Sequence, residues 1–514
     1  MKVALAQINT CVGDLSGNVR RSLAAIETAR SQHADLVVLP EMTIPGYPPR
    51  DILFDSSFTE AVVAATDDLA LRAADGPPVI VGSLVRAAFQ PPQHPGLHNA
   101  AILLHEGRAQ LIAAKRLLPA YDVFYEPRWF LPGESLPPVA IAGRRVGVLI
   151  CEDLWDEGYA VHPPAELKDA GAEVLITLSA SPYRRGVLAQ RLHHARRQRS
   201  PLIYLNLVGA TDELIFDGRS FVLDEKGVLT VQLAGFAEEV RTVDVDAPSP
   251  THTLPAVERE GEEAELFQAL VLGVRDFARK NGLERACLGL SGGVDSSVVA
   301  VIAAEALGPK NVTGVAIPSR YTDPRSTECA RQLADALGIR FEVVPLETLH
   351  AAAEATLGEA MADGTTAENV QARLRAMVLM SFVNRDGGML LNTSNKTELS
   401  LGYGTLYGDM AGTLYVIGDL TKPEVYALAR WINAQRRIIP DFVLSRPPSA
   451  ELRPDQVDPF DYDTVAPAME RLVRANRSDA ALRRSEHKRW QAGVILKVSE
   501  KAFGTGRLIP ITRR

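Results

Sequence analysis

Three residues in the first half of the chain carry side chains that together could cleave an amide bond. Each follows a short apolar run: LVVLP precedes Glu41, LIAA precedes Lys115 and RVGVLI precedes Cys151. A thiolate is a strong nucleophile, a carboxylate can take the thiol proton, and a fixed ammonium stabilises an oxyanion. Taken singly, each residue is more typical of a loop carboxylate, a surface lysine or a core cysteine. Because strand ends in α/β folds converge on one rim, we expect the three to meet in one site.

A glycine-rich turn in the second half has the composition of a phosphate site. The apolar run ACLGL leads directly into SGGVDSS, where a helical pattern begins. Paired glycines let backbone N–H groups approach a phosphate, and a helix N-terminus adds its positive end, although a plain helix cap is the alternative. The turn lacks the GK[ST] sequence of a Walker phosphate loop, and it also lacks the GxGxxG sequence of a dinucleotide-binding loop. The predicted phosphate-site residues are Ser291, Gly292, Gly293, Asp295, Ser296 and Ser297, with Mg²⁺ bridging the Asp295 carboxylate to the phosphates.

The elements that position these residues alternate between short apolar runs and helical patterns, which predicts an α/β protein. In the second half this alternation predicts a doubly wound parallel sheet. Prolines and mixed charges at residues 246–262 predict a linker between domains at 1–245 and 263–514. The basic stretch 191–199 has helical spacing and is predicted to be a solvated face.

Composition narrows the function classes. The chain has 514 residues and a net charge of −8, which argues against nucleic acid as a partner. Its four cysteines form no CxxC pair, which favours a reducing, cytoplasmic setting over a disulfide framework. No apolar run reaches the length of about 18 residues that a membrane span needs, so we expect no membrane association.

The sequences around the first three residues resemble the carbon–nitrogen hydrolase (nitrilase) superfamily over about residues 1–240. The matching strings are PEMTIPGYPPRD, AKRLLPAYDVFYEPRWF and GVLICEDLW. The resemblance implies an α-β-β-α sandwich in which Glu41 is the base, Lys115 the oxyanion cation and Cys151 the nucleophile. It also gives Glu126 a positioning role.

The same resemblance implies a glutamine pocket formed by Tyr121 and Ser181. This chain departs from the family at one point of that pocket. Members often carry a basic residue directly after the glycine that corresponds to Gly186, whereas this chain has Val187. Arg184 and Arg185 are then the alternatives for holding the substrate carboxylate.

The second half resembles the ATP pyrophosphatase (Rossmann-like) domain of glutamine-dependent NAD synthetases over most of residues 263–514. The strings that carry the resemblance include IPSRYT, TAENVQARLR, NTSNKTELSLGYGTLYGDMAG and GDLTKPEVYALARWIN. It implies that ATP contacts the glycine-rich turn and also Ser319, Arg320, Thr393 and Lys396. It implies that nicotinic acid adenine dinucleotide contacts Asn369, Arg373, Glu398, Asp409, Lys422 and Lys488, the last in a late loop. It also implies that Asp295 and Glu398 are the carboxylates on the magnesium side.

Together the two resemblances imply an enzyme that releases ammonia from glutamine and uses it to amidate an adenylated dinucleotide, with ATP as co-substrate. They also imply a homo-oligomer, dimer or higher. One alternative is another ATP-adenylating glutamine amidotransferase that acts on a different carboxylate. Another is a nucleotide sensor without turnover, which intact Glu41, Lys115, Cys151 and Asp295 argue against.

Overall fold

The computed structural model describes residues 1–247, 261–361, 364–477, 479–483 and 485–506. These residues form two compact units, one from residues 1–211 and 215–247 and the other mainly from residues 261–506. Most of the predicted linker, 246–262, lies outside the described residues, so the linker and its domain boundaries stay predictions. Within the described residues, no helix is both long and apolar enough to cross a membrane.

The first 247 residues contain a strand-rich α/β arrangement. Its strands are β1 (Lys2–Gln7), β2 (Leu36–Val38), β3 (Val79–Arg86), β4 (Leu97–His105), β5 (Arg108–Ala114), β6 (Val139–Ile141), β7 (Arg144–Ile150), β8 (Val174–Ser179), β9 (Leu202–Asn206), β10 (Val208–Thr211), β11 (Leu214–Asp217), β12 (Phe221–Leu223), β13 (Leu229–Gln232) and β14 (Glu239–Asp244). Its helices are α1 (Leu15–Ser31), α2 (Ser56–Arg72), α3 (Pro163–Asp169) and α4 (Val187–Arg197).

Two six-stranded sheets face each other in this unit. One sheet has the order β14-β1-β2-β3-β4-β5 and the other β13-β12-β9-β8-β7-β6. Alternate apolar residues of both sheets, such as Leu5, Val38, Val148 and Ile176, share one buried core. Helices α1 and α2 flank the first sheet, while α3 and α4 pack on the second. The predicted α-β-β-α sandwich is confirmed.

The second unit is also α/β. Its strands are β15 (Ala286–Gly289), β16 (Val312–Ala316), β17 (Arg340–Val343), β18 (Met389–Asn392), β19 (Leu414–Tyr415) and β20 (Val494–Ile495). Its helices are α5 (Glu262–Lys280), α6 (Val294–Leu307), α7 (Pro324–Leu337), α8 (Glu347–Leu357), α9 (Gly364–Asp386), α10 (Lys396–Leu401), α11 (Lys422–Gln435), α12 (Asp441–Ser445), α13 (Tyr462–Arg474) and α14 (Ala480–Arg483).

All neighbouring strands of the second unit run parallel, in the order β17-β16-β15-β18-β19-β20. The strand order reverses direction at β15, so β15 and β18 flank a crevice at their carboxyl ends, where α/β proteins bind ligands. The predicted doubly wound sheet is confirmed. The glycine-rich turn follows β15, and the NTSNKTE segment begins at the last residue of β18.

The prediction for the basic stretch 191–199 is wrong at its first residue. Arg191 lies on the inner face of α4 and is fully buried. Its guanidinium donates two hydrogen bonds to the carboxylate of Asp217, at 2.8 and 3.0 Å. Helical spacing alone could not show this, because the partner lies 26 residues away on β11.

Candidate active sites

The three predicted catalytic residues of the first unit follow three strands. Glu41 lies in the turn after β2, Lys115 directly after β5 and Cys151 directly after β7. In the first sheet β5 runs parallel to β2, because two antiparallel steps separate it from β3. Their carboxyl ends therefore share one edge, and the facing sheet brings Cys151 to them. All three side chains are buried, between 1 and 6 % exposed.

Cys151 occupies a strained position between strand and turn. Its φ is +47°, in the left-handed region that side-chain-bearing residues rarely adopt, and it begins a short 3-10 helix, Cys151–Leu154. Asp153 accepts hydrogen bonds from the Ile150, Arg116 and Leu117 N–H groups at 2.9–3.1 Å and so ties this turn to the segment after β5. Burial, and then the charge of Glu41, hold the pKa of the Cys151 thiol well above its usual range. The nucleophile is therefore a neutral thiol that needs a base.

Glu41 is held in an orientation suited to that base. Its Oε1 accepts hydrogen bonds from Lys115 Nζ at 2.9 Å and from Asn99 Nδ2 at 2.7 Å. Its Oε2 accepts one from the Ala180 N–H at 2.7 Å. Three donors thus fix the position of both carboxylate oxygens.

Lys115 bridges two buried carboxylates. Its Nζ lies 2.9 Å from Glu41 Oε1 and 2.7 Å from Glu126 Oε1. Burial lowers the pKa of Lys115, but the charges of Glu126 and Glu41 outweigh it and raise the pKa well above its usual value. Burial raises the pKa of Glu126, although Lys115 opposes it, and Tyr47 donates a 3.1 Å hydrogen bond to the same oxygen. The lysine is thus a fixed cation, which is what an oxyanion requires.

The two predicted glutamine-binding residues lie on different segments, one before β6 and one after β8. Tyr121 donates to Glu152, the residue after Cys151, at 3.0 Å, and Tyr159 donates to the same carboxylate at 2.9 Å. Ser181 follows β8 and is 6 % exposed. Sequence reasoning missed Glu152, Tyr159 and Asn99, although Glu152 stands within the GVLICEDLW string.

Gly82 of β3 holds the segment that carries Glu41. Its N–H donates to Pro40 O at 3.2 Å, and its carbonyl accepts from the Ile44 N–H at 3.2 Å. A Cβ at this position would lie 2.3 Å from Pro40 O and 2.4 Å from Met42 N, too close for any real structure. Only glycine lets these two backbones approach so closely.

We therefore expect Gly82→Ala to displace Glu41 and to lower glutamine-driven turnover roughly a hundredfold, because small misplacements of catalytic groups are costly. Ammonia-driven turnover should stay at the wild-type rate. The matched control is Gly76→Ala, where the nearest atom would lie at 3.3 Å. Steady-state rates with the two nitrogen sources, alongside a thermal melt, check this, and equal loss of both rates would contradict it.

In the second unit the glycine-rich turn connects β15 to α6. Gly292 has φ +80°, and a Cβ there would lie 2.0 Å from Ser326 O, so the turn requires glycine. Gly293 is the residue before α6, whose first N–H groups face the turn. Ser291 and Ser296 hydroxyls lie 3.1 Å apart, while Ser297 donates to Gly293 O at 2.8 Å. Ser297 therefore braces the turn.

A cavity of about 290 Å³ opens at the carboxyl ends of β15 and β18. Its size is near the lower end for small-molecule sites. Predicted residues that line it are Ser291, Gly293, Asp295, Ser296, Thr393, Glu398, Asp409 and Lys422. Lining residues that sequence reasoning did not assign include Arg375, Tyr403, Arg446, Glu451 and Asp458. Asp458 belongs to a short acidic segment, VDPFDYDT at residues 457–464, which directly follows RPDQ.

The carboxylates of Asp295 and Glu398 converge on one cation, Lys422. Its Nζ lies 2.5 Å from Asp295 Oδ2 and 3.3 Å from Glu398 Oε1. Asn395 donates to Asp295 Oδ1 at 3.1 Å and caps α10, which carries Glu398. Burial, despite Lys422, raises the pKa of Glu398. Two carboxylates beside a phosphate-binding turn fit Mg²⁺, which typically takes one or two carboxylates together with substrate phosphates.

Several predicted residues do not line this cavity. Lys396 is buried, and its Nζ lies 3.0 Å from Asp419 and 2.6 Å from Glu470. Arg320 forms ion pairs with Glu347 and Glu354, at 2.6 and 3.1 Å. The others outside the lining are Gly292, Ser297, Ser319, Asn369, Arg373 and Lys488. Lys396, a predicted ATP contact, thus has its positive charge already paired with two carboxylates.

Three of these residues contact the segment that follows α10. Asn369 accepts from Thr405 Oγ1 at 2.6 Å, and Arg373 donates to Leu406 O at 3.2 Å. They lie one turn apart on α9, as predicted. Lys488 donates to the Gly402 and Gly404 carbonyls, at 2.6 and 2.5 Å. It lies in a short 3-10 helix, Glu486–Gln491, which corrects the predicted loop.

Comparison with known proteins assigns each half of the chain to a family. The carbon-nitrogen hydrolase family matches residues 2–251, and the NAD synthase family matches residues 266–502. The glutamine-dependent NAD(+) synthetase of Synechocystis sp. is 38 % identical over 99 % of this chain and 98 % of its own length. That of Rhodobacter capsulatus is 39 % identical over 100 % and 98 %. The chain belongs to the glutamine-dependent NAD(+) synthetase family.

Solved structures of the family have the same fold. The synthetase of Acinetobacter baumannii, in complex with adenosine diphosphate, superposes with a TM-score of 0.78 at 30 % identity, over 99 % of this chain and 98 % of the other. The synthetase of Cytophaga hutchinsonii gives 0.81 at 21 % identity, over 99 % and 97 %, which is a likeness of fold alone. The family assignment thus covers both units.

Proposed function

We propose that this chain makes NAD⁺ from nicotinic acid adenine dinucleotide, with glutamine as the nitrogen donor and ATP as co-substrate. The observation that carries the proposal is the presence of two sites in one chain. One is the buried Glu41–Lys115–Cys151 centre, and the other is the cavity lined by the glycine-rich turn, Asp295 and Lys422. The names of the full-length relatives support the same reaction.

In the first site Glu41 takes the proton of the Cys151 thiol as sulfur attacks the amide carbon of glutamine. The positive Lys115 Nζ stabilises the negative charge that develops on the amide oxygen. The carbon–nitrogen bond breaks, Glu41 returns the proton to the leaving ammonia, and a thioester remains. Water, activated by the same carboxylate, then cleaves the thioester to glutamate and restores the thiol. Because the resting thiol is neutral, its deprotonation is coupled to substrate attack.

In the second site the dinucleotide carboxylate attacks the α-phosphorus of ATP, and pyrophosphate leaves. Ammonia then displaces AMP from the mixed anhydride. The N–H groups at the start of α6, and the Lys422 ammonium that lines the same cavity, would offset the phosphate charge. Asp295 and Glu398 would hold Mg²⁺, which would neutralise charge on the transferring phosphoryl group when bound.

The direct test is product stoichiometry with glutamine, ATP and the dinucleotide. We expect NAD⁺, AMP, pyrophosphate and glutamate in equal amounts. If AMP forms with other carboxylate substrates while the dinucleotide stays unchanged, the chain is another adenylating glutamine amidotransferase. If ATP is bound without release of AMP, the chain is a nucleotide sensor.

The homo-oligomeric state, a cytoplasmic location and the domain boundary at residues 246–262 belong to the same proposal. They rest on the family resemblance and on composition. Sedimentation velocity of the full chain measures the first of them directly. A purely monomeric species at micromolar concentration would contradict it.

A further inference from the structure

Lys422, Arg446 and Arg375 are the cationic side chains that line the cavity of the second unit, as far as the structure describes it. Lys422 is paired with carboxylates, as described above. Arg446 lies 2.9 Å from Glu451 and donates to Ser326 Oγ at 2.6 Å. Arg375, in contrast, forms no ion pair with any residue that the structure describes. Its charge is therefore available to a ligand in the cavity.

The two carboxylates whose charges act on Arg375 already bind other groups. Glu451 Oε1 accepts a hydrogen bond from Arg446 at 2.9 Å, and Asp409 Oδ1 accepts one from the Thr405 N–H at 2.5 Å. Burial outweighs the charges of Glu451 and Asp409 and lowers the pKa of Arg375. A guanidinium stays protonated even so, and a buried charge without a paired anion carries an electrostatic cost. An anionic ligand would relieve that cost.

The sequence of α9 places Arg375 on the helix face that meets the cavity. Ala372, Ala376 and Leu379 line the same cavity, and their spacing around Arg375 is that of one helical face. Arg375 Nε donates to Ile317 O at 3.2 Å, directly after β16. Among the described residues, none accepts a hydrogen bond from its two terminal nitrogens. This planar pair of donors is the part of the side chain that a ligand can use.

The anchor on Ile317 places Arg375 beside the glycine-rich turn, on the side away from Glu398. Ile317 follows β16, the turn follows β15, and Glu398 lies in the segment that begins at the end of β18. The strand order is β16-β15-β18, so the turn lies between the two. Lys422 contacts Glu398 at 3.3 Å on the β18 side. A phosphate chain bound at the turn would thus have one cation on each side.

The cavity lining on the β16 side suits the nucleoside part of a nucleotide. Residues 315–318, with the sequence VAIP, line it with mainly apolar groups, as a nucleobase requires. The glycine-rich turn suits the phosphates. The ribose and the first phosphate must lie between these two regions, and Arg375 is anchored at Ile317 with its terminal nitrogens unpaired. The phosphate nearest to it is then the α-phosphate.

We propose that Arg375 binds the α-phosphate of ATP and holds it during adenylation. The inference rests on the proposed function, because it names a further catalytic residue of that reaction. A bond forms between the dinucleotide carboxylate oxygen and the α-phosphorus, and the bond to the bridging oxygen breaks, with its electron pair leaving on pyrophosphate. Charge is spread over the α-phosphate oxygens as this happens, and the two parallel donors of a guanidinium suit two such oxygens.

The first test compares adenosine, AMP, ADP and ATP as ligands of the full chain, by isothermal titration at one Mg²⁺ concentration. We expect Arg375→Met to weaken the binding of AMP, ADP and ATP by the same factor, roughly ten- to hundredfold, and to leave adenosine at the wild-type affinity. A loss with ADP and ATP but not with AMP would place Arg375 on an outer phosphate and overturn the proposal. An equal loss with adenosine would mean a structural role and would overturn it too.

The second test measures AMP release with ammonium chloride and saturating ATP and dinucleotide. Arg375→Met should lower kcat roughly a hundredfold, because the contact strengthens as charge develops on the phosphate. A wild-type kcat would contradict a role in adenylation. The matched control is Arg385→Met on the same helix, where the side chain is exposed and lies 2.7 Å from Asp386. It should bind all four ligands and turn over like the wild type.

Arg375→Lys keeps the charge but loses the planar pair of donors, so it covers the case in which Arg375→Met does not fold. It should show the same selectivity, weaker binding of AMP with unchanged binding of adenosine, by a smaller factor. Nucleotide binding is measured without the dinucleotide and is therefore independent of the proposed reaction. If the wild type makes no NAD⁺ but loses AMP affinity in Arg375→Met, the proposed function fails and the phosphate contact is confirmed. If the wild type makes NAD⁺ and Arg375→Met binds AMP normally, the contact is wrong.

Discussion

Cys151→Ala is expected to abolish glutamine-driven NAD⁺ formation, by at least about a thousandfold, and to leave ammonia-driven formation intact. Removing the nucleophile removes the covalent route, and water held at the site is a far poorer substitute. The second site receives ammonia from solution without any step at Cys151. Parallel assays with saturating glutamine and with ammonium chloride measure the two rates.

Cys11→Ala is the matched control for this variant. Cys11 is also a free cysteine of the first unit but is half-buried, and it lies outside the catalytic contacts described above. It should leave both rates unchanged. Continued use of glutamine by Cys151→Ala would mean that the nucleophile has been misassigned, whereas loss of both rates would mean that the two sites depend on each other's structure.

The strand-end residues were predictable because chemistry and topology agree there. Apolar runs that stop at Glu41, Lys115 and Cys151 indicate strands, and strand ends in such folds share an edge. The structure places the three within one buried site. The glycine-rich turn was predictable for a similar reason, since a strand, paired glycines and a helix start follow one another without interruption.

Contacts between distant segments were not predictable from one sequence. Arg191 has the helical spacing of a solvated face, yet Asp217 makes it part of the core. Asn99, which donates to Glu41, stands within an apolar strand and gives no local signal. Strands β19 and β20 have two residues each, too few for any periodicity. Such features depend on pairing partners that only the folded chain identifies.

Lys396 shows the limit of transferring a role from a motif. The NTSNKTE segment does reach the cavity, through Thr393 and Glu398. The lysine between them turns inward, where Asp419 and Glu470 pair its charge and Ser499 accepts from it at 2.9 Å. A position in a segment that lines a site does not by itself place the side chain in that site. The burial of the side chain and the groups that pair its charge decide where it lies.

Asp295→Asn is expected to abolish NAD⁺ formation from both nitrogen sources, roughly a thousandfold or more. The substitution keeps the shape of the side chain but removes the charge that Lys422 contacts at 2.5 Å and that would hold Mg²⁺ beside the phosphates. Adenylation of the dinucleotide precedes attack by ammonia, so supplying ammonia cannot bypass this loss. AMP release measured with ammonium chloride and with glutamine checks both routes.

The matched control is Glu305→Gln, an exposed carboxylate on the same helix α6. It removes one negative charge from the helix but touches no cavity residue, and both rates should stay at the wild-type level. A magnesium titration adds a second readout, because Asp295→Asn should need a higher Mg²⁺ concentration for any residual turnover. Wild-type ammonia-driven turnover in Asp295→Asn would contradict the assignment, since Glu398 would then suffice as the carboxylate facing the phosphates.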